Sequence, residues 1–262
     1  MRNAPLPLML AILAAVFAFL YLPISVLVAL SFNDGGLPTA WTGFSTRWYA
    51  ELFSNADIIG AALNTLIVAV VSTILATLFG TLLAVGVEIR RRKGRFLETI
   101  IFAPMIIPDI VLAIALLSFF SLLGVTMGLH TIILAHVVFN LAFVCSVVRA
   151  RLKTFDWSIV EASTDLGAPT LTTLRRVILP VLSPAIVAGA LLAFTLSVDE
   201  FVIAFFTAGA GRASTTLPMQ IFAMIRFGVT PEINALATIV MGISVLALTL
   251  SQRLNRGGLP GQ

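Results

Sequence analysis

The chain has 262 residues, of which 59% are hydrophobic and only 11% charged, and its mean hydropathy is +1.07. So little polar surface cannot cover a water-soluble globule. A net charge of +4 would in a soluble protein raise the question of nucleic acid, but here its placement along the chain answers a different question, that of membrane topology.

Crossing about 30 Å of hydrocarbon at about 1.5 Å per residue takes some twenty apolar residues. Six windows meet this length: Leu8 to Leu30, Ala61 to Val87, Leu97 to Leu123, Thr131 to Val148, Val181 to Ala208 and Ile233 to Leu250. The expected fold is therefore an all-α polytopic membrane protein with six transmembrane helices, a single domain over 1–262, and no room for a soluble enzyme domain. The first window follows Arg2, yet its apolar core exceeds the 7–15 residues of a secretory signal and no small-residue cleavage pattern precedes Asn33. It reads as a retained signal anchor.

If both termini are cytosolic, the inner segments hold Arg2, Arg90, Arg91, Arg92, Lys93, Arg95, Arg149, Arg151, Lys153, Arg175, Arg176, Arg253 and Arg256. Only Arg47, Arg212 and Arg226 then lie outside. Short cytosolic loops carry the positive charge, so the bias predicts both ends in and leaves nucleic acid without a case.

The outer loop Ser31 to Gly60 opens on the turn Asn33-Asp34-Gly35-Gly36 and carries Trp41, Phe44, Trp48 and Tyr49 beside Arg47, a headgroup-layer pattern. In the third window Pro104 and Pro108 each remove a ladder hydrogen bond, so a kink or break is expected. Irregular backbone at that depth needs protein or water around it, which makes this window a candidate wall of a path. The fourth holds His136 and Asn140 on one face, with His130 at its start, and hydrogen bonding between helices suits them better than a metal site lacking Cys or carboxylate neighbours. Cys145, the single cysteine, can form no intrachain disulfide and reads as packing.

Between the fourth and fifth windows lies a polar, helix-prone island at 158–180. Ser158 and Glu161 fit a capping box, and the helix it starts is expected to stop at Gly167, with Pro169 preventing continuation. A second helix with Leu171, Leu174, Val177 and Ile178 on one face is expected to end before Pro180, and Ser183-Pro184 to cap and start the fifth span.

Here the pattern is E-A-[AS]-x-x-x-G, nine residues, then an apolar residue, any residue, Leu and Pro. It is filled by Glu161, Ala162, Ser163, Gly167, Val177, Leu179 and Pro180, with Ser163 for the commoner alanine and Val177 for the commoner isoleucine. On these residues the chain resembles the inner-membrane permease subunits of ABC importers. The resemblance implies that the island is a coupling helix seated in a cleft of a cytosolic ATPase, that Glu161, Ala162, Ser163, Gly167, Leu179 and Pro180 form the coupling surface, and that the chain sits multi-pass in a bacterial inner membrane. It further implies a second permease subunit, two copies of the ATPase and an extracytoplasmic substrate-binding protein. The chain has only two lysines, Lys93 and Lys153, and neither follows a glycine, so no phosphate-cradling loop exists here. No cofactor or metal is expected in this chain, and ATP would be bound by partner subunits.

Carboxylates at membrane depth default to functional hypotheses. Asp199 and Glu200 fall in the fifth window and Asp109 in the third, with no basic residue inside any window to neutralise them. Adjacent helical positions point about 100° apart, so Asp199 and Glu200 are expected to face differently, one towards a cavity and one as a cap or interhelical acceptor. The run Ser197 to Glu200, then Phe206 to Gly209 and Pro231 to Thr238, resembles the spermidine/putrescine branch of these permeases, which implies a polycation passing the three carboxylates. The outer-loop residues Arg226 and Glu232 offer contacts to a substrate-delivery protein, but solvation of the loop is the expected reading. The alternative is an ion-coupled secondary transporter using Asp109 and Asp199 as proton sites. An intramembrane hydrolase is excluded by the lack of a G-x-S-x-G elbow or an H-E-x-x-H helix.

Overall fold

The computed structural model describes residues 6–36, 40–89, 94–227 and 231–256, with the backbone alone at 6, 94–97, 227 and 244–256. In chain order the helices are α1 (Leu6–Leu30), α2 (Arg47–Ser54), α3 (Ala56–Ile89), α4 (Gly94–Ile106), α5 (Asp109–Leu122), α6 (Leu129–Leu152), α7 (Ser158–Asp165) and α8 (Thr170–Thr173). After a π-helical turn at Leu174–Ile178 come α9 (Leu179–Asp199), α10 (Val202–Thr207), a 3₁₀ turn at Arg212–Ser214, α11 (Leu217–Phe227) and α12 (Pro231–Arg256). Among the described residues the extended backbone amounts to one isolated antiparallel bridge, Asn33 to Phe44.

Among the described residues, four helical stretches are long and apolar enough to cross a membrane: Pro7–Leu30, Ala56–Ile89, Leu129–Leu152 and Thr170–Asp199. The pair Glu98–Ile106 and Asp109–Leu122 makes a fifth if counted as one bent span. The sixth predicted window falls in α12, where the apolar stretch with described side chains is Pro231–Ile243. Of the basic residues that set the predicted orientation, Arg2, Arg90, Arg91, Arg92 and Lys93 lie outside the described residues.

The chain divides into two compact units, one of residues 1–59 with 221–262 and one of residues 60–220. In the first, α12 packs on α2 and α1, and α1 buries none of its described side chains, as suits a helix apolar all round in a hydrocarbon solvent. The loop after α1 is built on Asn33. Its amide donates to the Ala40 carbonyl (2.6 Å) and accepts the Thr42 N–H (2.8 Å), while its own carbonyl takes the Trp48 indole N–H (2.7 Å). Arg47 lies over the Trp48 ring, 4.3 Å from its centroid, and 3.9 Å from Asp34. Trp48 is thus a structural fixture of the loop, whereas Trp41 and Phe44 stay exposed. Asn55 caps α3 through the Asp57 N–H (3.1 Å) and donates to Glu232 (3.2 Å). The expectation that Glu232 is only solvated therefore fails, because the end of α2 meets the start of α12.

In the second unit α6 is the hub, packing against α9, α4, α10 and α5. Its residues Val144, Cys145, Val148 and Leu152 form a core with Ala76 and Ala84 of α3 and Leu182 and Ala193 of α9. Cys145 is fully buried there, which makes it interhelical packing. Helices approach closely where a side chain is missing, and a Cβ on Gly80 would stand 2.9 Å from the Cβ of Val144.

Candidate functional site

Both windows that carry the predicted carboxylates are broken, and the carboxylates sit at the breaks. In the third, α4 tolerates Pro104 in its interior, but the chain turns at Ile107-Pro108 and α4 and α5 lie 114° apart. A residue preceding proline is driven out of the α region, and Pro108 takes an extended ψ of 137° as N-cap of α5. Asp109 is then the first residue of α5 and is exposed, its charge at the favourable end of the helix dipole.

The fifth window is not one helix either. α9 stops at Asp199, Glu200 is extended (ψ 113°) and α10 begins at Val202. The Glu200 carboxylate accepts the Ile203 N–H at 2.8 Å, so it caps α10. Asp199 is exposed at the C-terminal end of α9, where the dipole opposes a negative charge. No hydrogen bond or ion pair reaches the side chain of Asp199 or Asp109 among the described residues. α10 packs on α5, and this brings Asp109 as well as Asp199 within electrostatic range of Glu200. Glu200 thus feels both other carboxylates, and none of the three has an ion pair among the described residues. Among the described residues, no three of His, Cys, Asp and Glu are placed to hold a metal ion.

Behind the break, Ser197 in the last turn of α9 is tied to two other helices. His136 Nδ1 of α6 lies 2.7 Å from its hydroxyl and Ser72 of α3 lies 3.1 Å away. The expectation of interhelical bonding is met by His136. Asn140, one turn further along, has no partner for either amide atom among the described residues, and exposed His130 stands at the start of α6. Sequence reasoning missed Ser72 and Ser197, since small hydroxyl residues in apolar helices usually bond their own backbone and carry no signal of a distant partner.

The island also differs from expectation in its caps. Ser158 is the first residue of α7 and makes no capping box; Trp157 is the N-cap, with no side-chain bond. Asp156 takes the capping role, accepting the Ser158 N–H at 3.0 Å, and its hydrogen bonds with Ser158 hold its carboxyl below the ordinary value. Asp, with a fixed charge at a helix start, is the better acceptor. α7 ends as foreseen at Gly167, φ +78°, in a double closure by Gly167 N–H to the Thr164 carbonyl (2.8 Å) and Ala168 N–H to that of Ser163 (3.1 Å).

The second helix does not end before Pro180. Thr170–Asp199 runs as one helical span through the π-helical turn. The wider turn bonds Leu179 N–H to the Leu174 carbonyl and so eases the clash that Pro180 would make with the preceding turn. Nor does Ser183-Pro184 start a helix, for Pro184 is interior to α9. The Ser183 hydroxyl donates to the Pro180 carbonyl at 2.8 Å, the group that Pro184, having no N–H, leaves unpaired. The expected apolar face is incomplete, with Ile178 buried but Leu171 74% exposed.

α7 buries no side chain and leaves Glu161, Ala162 and Asp165 exposed. Two contacts anchor it: Ser163 lies 2.9 Å from the buried Thr173 hydroxyl, and Trp157 packs edge-on to Phe155. The serine that departs from the commoner alanine therefore ties α7 to α8. A groove of about 480 Å³ undercuts α7, lined by Val85, Glu88, Trp157, Glu161 and Leu174 among others; it is remote in sequence from the acidic breaks. Beside it Arg149 lies 2.5 Å from Glu98 and 3.7 Å from Glu88, an ion cluster that joins α6, α4 and α3 and that no local pattern announces.

Known proteins resemble this chain over most of its length. It is 42% identical over 250 residues to the spermidine/putrescine transport system permease protein PotC of Escherichia coli (strain K12), covering 95% of this chain and 94% of that protein. It is 43% identical over 256 residues to the putrescine transport system permease protein PotI of the same strain, covering 92% and 89%. A crystal structure of a bacterial alginate ABC transporter in complex with alginate pentasaccharide-bound periplasmic protein contains a chain of the same fold, with TM-score 0.72 at 18% identity over 93% of this chain and 90% of that one. Residues 76–256, from mid-α3 to the end of α12, match the profile of the binding-protein-dependent transport system inner membrane component, and the chain belongs to that family of ABC permease subunits.

Proposed function

We propose that the chain is the permease subunit of an ATP-driven importer for spermidine, putrescine or a related polyamine, and that the cargo passes Asp199, Asp109 and Glu200. The observation that carries this is the pair of carboxylates, Asp199 and Asp109, with no countercharged side chain among the described residues, at two helix breaks in a chain 42% identical to a spermidine/putrescine permease. A carboxylate at the negative end of a helix gains more than usual from a passing ammonium group, and cargo with two or more such groups can engage several carboxylates at once. Glu200 holds α10 in place and contributes charge from behind.

In this reading the chain is a single permease domain with six spans, both termini in the cytosol and no ATPase of its own. It works beside a second, homologous permease, on two ATPase subunits that bind ATP, and is fed by an extracytoplasmic binding protein, in line with the periplasmic protein named in the alginate complex. The region 158–180 is the coupling element, with Glu161, Ala162, Ser163 and Gly167 on α7 and its cap, and Leu179 and Pro180 at the entry to α9. Closure of the ATPases pushes α7, and Ser163 and Trp157 pass the displacement to the hub helices.

Two measurements test the two halves of this reading. Uptake of radiolabelled putrescine by the assembled importer should lose at least about tenfold in apparent affinity, roughly 1.4 kcal/mol, in Asp199→Asn, and Glu200→Gln, which keeps an acceptor for the cap, should lose less. Unchanged uptake in Asp199→Asn and Asp109→Asn together would remove the carboxylate path. For coupling, Ala162→Trp on the exposed face of α7 should abolish ATPase copurification and uptake while the chain itself still inserts and folds; a full complement of bound ATPase would refute the docking role.

A further inference from the structure

We propose that His136 is a positioning residue for the acidic break: through Ser197 it fixes the rotation of the last turn of α9 and so the direction in which Asp199 is presented. The inference rests on the carboxylate path just described and adds a residue to it that touches no cargo.

Ser72, His136 and Ser197 are 0%, 1% and 2% exposed and come from α3, α6 and α9. One neutral tautomer uses every hydrogen of the trio. His136 Nδ1–H donates to Ser197 (2.7 Å), Ser197 to Ser72 (3.1 Å), and Ser72 to the Ala69 carbonyl (3.4 Å). The opposite tautomer would make Ser197 donate to the ring and leave a buried Nε2–H without an acceptor, since Nε2 has no partner among the described residues. A buried donor left unmade is the costlier error, so the chain of donors running from α6 to α3 is the favoured arrangement.

Its position gives it consequence. Ser197 is two residues from Asp199, and α9 ends there with no further turn to brace it. In hydrocarbon, apolar contact between helices is non-directional, whereas a hydrogen bond sets an angle. One residue of helix is about 100° of rotation, so slippage of the last turn would aim Asp199 elsewhere. On the far side of the break the cap from Glu200 and the burial of Ile203 hold α10. The trio is the matching restraint on the α9 side, and Asp199 is presented between two fixed ends.

The test uses the complete importer in proteoliposomes, reading KM and Vmax for radiolabelled putrescine together with bound ATPase. Asparagine places an amide nitrogen near the position of Nδ1, and glutamine places one near Nε2. If Nδ1–H is the working atom, His136→Asn keeps KM within about twofold, whereas His136→Gln and Ser197→Ala each raise it about tenfold at unchanged Vmax and ATPase content, and the double variant is no worse than either single. Equal damage in His136→Asn and His136→Gln, with falling Vmax and yield, would reduce His136 to a space-filler and overturn the proposal; so would a normal KM in His136→Gln. Asp199→Asn in the same assay separates the two levels. If it raises KM while His136→Gln does not, only the positioning role falls, and if Asp199→Asn transports normally, the carboxylate path falls and the positioning role with it.

Discussion

Replacing Arg149 by leucine should destabilise the chain by about 3–5 kcal/mol, the usual effect of removing one partner from a buried ion pair. Arg149 is 13% exposed in its side chain and faces Glu98 and Glu88, which are 35% and 4% exposed. Glu98, 35% exposed, recovers water more readily when the cation goes than Glu88 at 4%, so the larger share of the penalty falls on Glu88. The Arg149 guanidinium also lies 5.8 Å from the centroid of Phe102, and its removal loosens α4 as well. Thermal unfolding in detergent should show a midpoint lower by several degrees, and Arg149→Leu combined with Glu88→Gln should regain part of it, because a neutral amide no longer needs a counterion. An unchanged midpoint in Arg149→Leu would mean that the cluster is hydrated and contributes little.

A methyl group at Gly209 should be harder to accommodate than at any helical glycine described. A Cβ there would stand 2.2 Å from the Met127 carbonyl oxygen, 2.8 Å from its carbon and 3.1 Å from the Gly128 Cα. All three are backbone atoms, so no rotamer change relieves the clash. Either the turn before α6 or the segment after α10 must move, and the link from the Thr131 hydroxyl to the Thr207 carbonyl, 2.7 Å long, is then lost, leaving Thr131 only its local bonds to Gly128. The cost of Gly209→Ala should reach the upper end of the about 1–3 kcal/mol typical of overpacking, or exceed it. Gly86→Ala is the control, since nothing lies within 4 Å of its added methyl and alanine favours the helix by roughly 1 kcal/mol. Folded yield and putrescine uptake should fall sharply in the first and hold in the second; equal behaviour would show that the Met127 turn yields freely.

Both results bear on the same helix, α6, at its two ends. Gly209 and Thr131 hold the α10 segment against the start of α6, and α10 is the helix that the Glu200 carboxylate caps. Arg149 acts at the opposite end of α6, next to α7. α6 is therefore clamped at both ends, so that under the proposed coupling a push at α7 would travel to the acidic breaks through packed side chains instead of a compliant loop.

Composition and pattern by themselves determined that the chain is helical and apolar, that a short helix opening the region 158–180 is closed by a left-handed Gly167, that Pro108 interrupts the third window, and that Asp199, Glu200 and Asp109 are the charges to explain. These are properties of a residue and its near neighbours: chain length against bilayer thickness, a missing Cβ, a missing N–H, a charge without a counterion. Only the tertiary structure decided which groups take up the work that local motifs offered. Asp156, not Ser158, caps α7; a π-helical turn carries the chain through Pro180 into α9; Glu200 is spent on capping α10 while Asp199 stays free. Ser72 with His136 and Ser197, and Arg149 with Glu88 and Glu98, are 51 to 125 residues apart in their pairings. No periodicity of 3.6 encodes such partners; they meet because helices pack closest where side chains are small, as Gly80 lets α3 approach α6 at Val144.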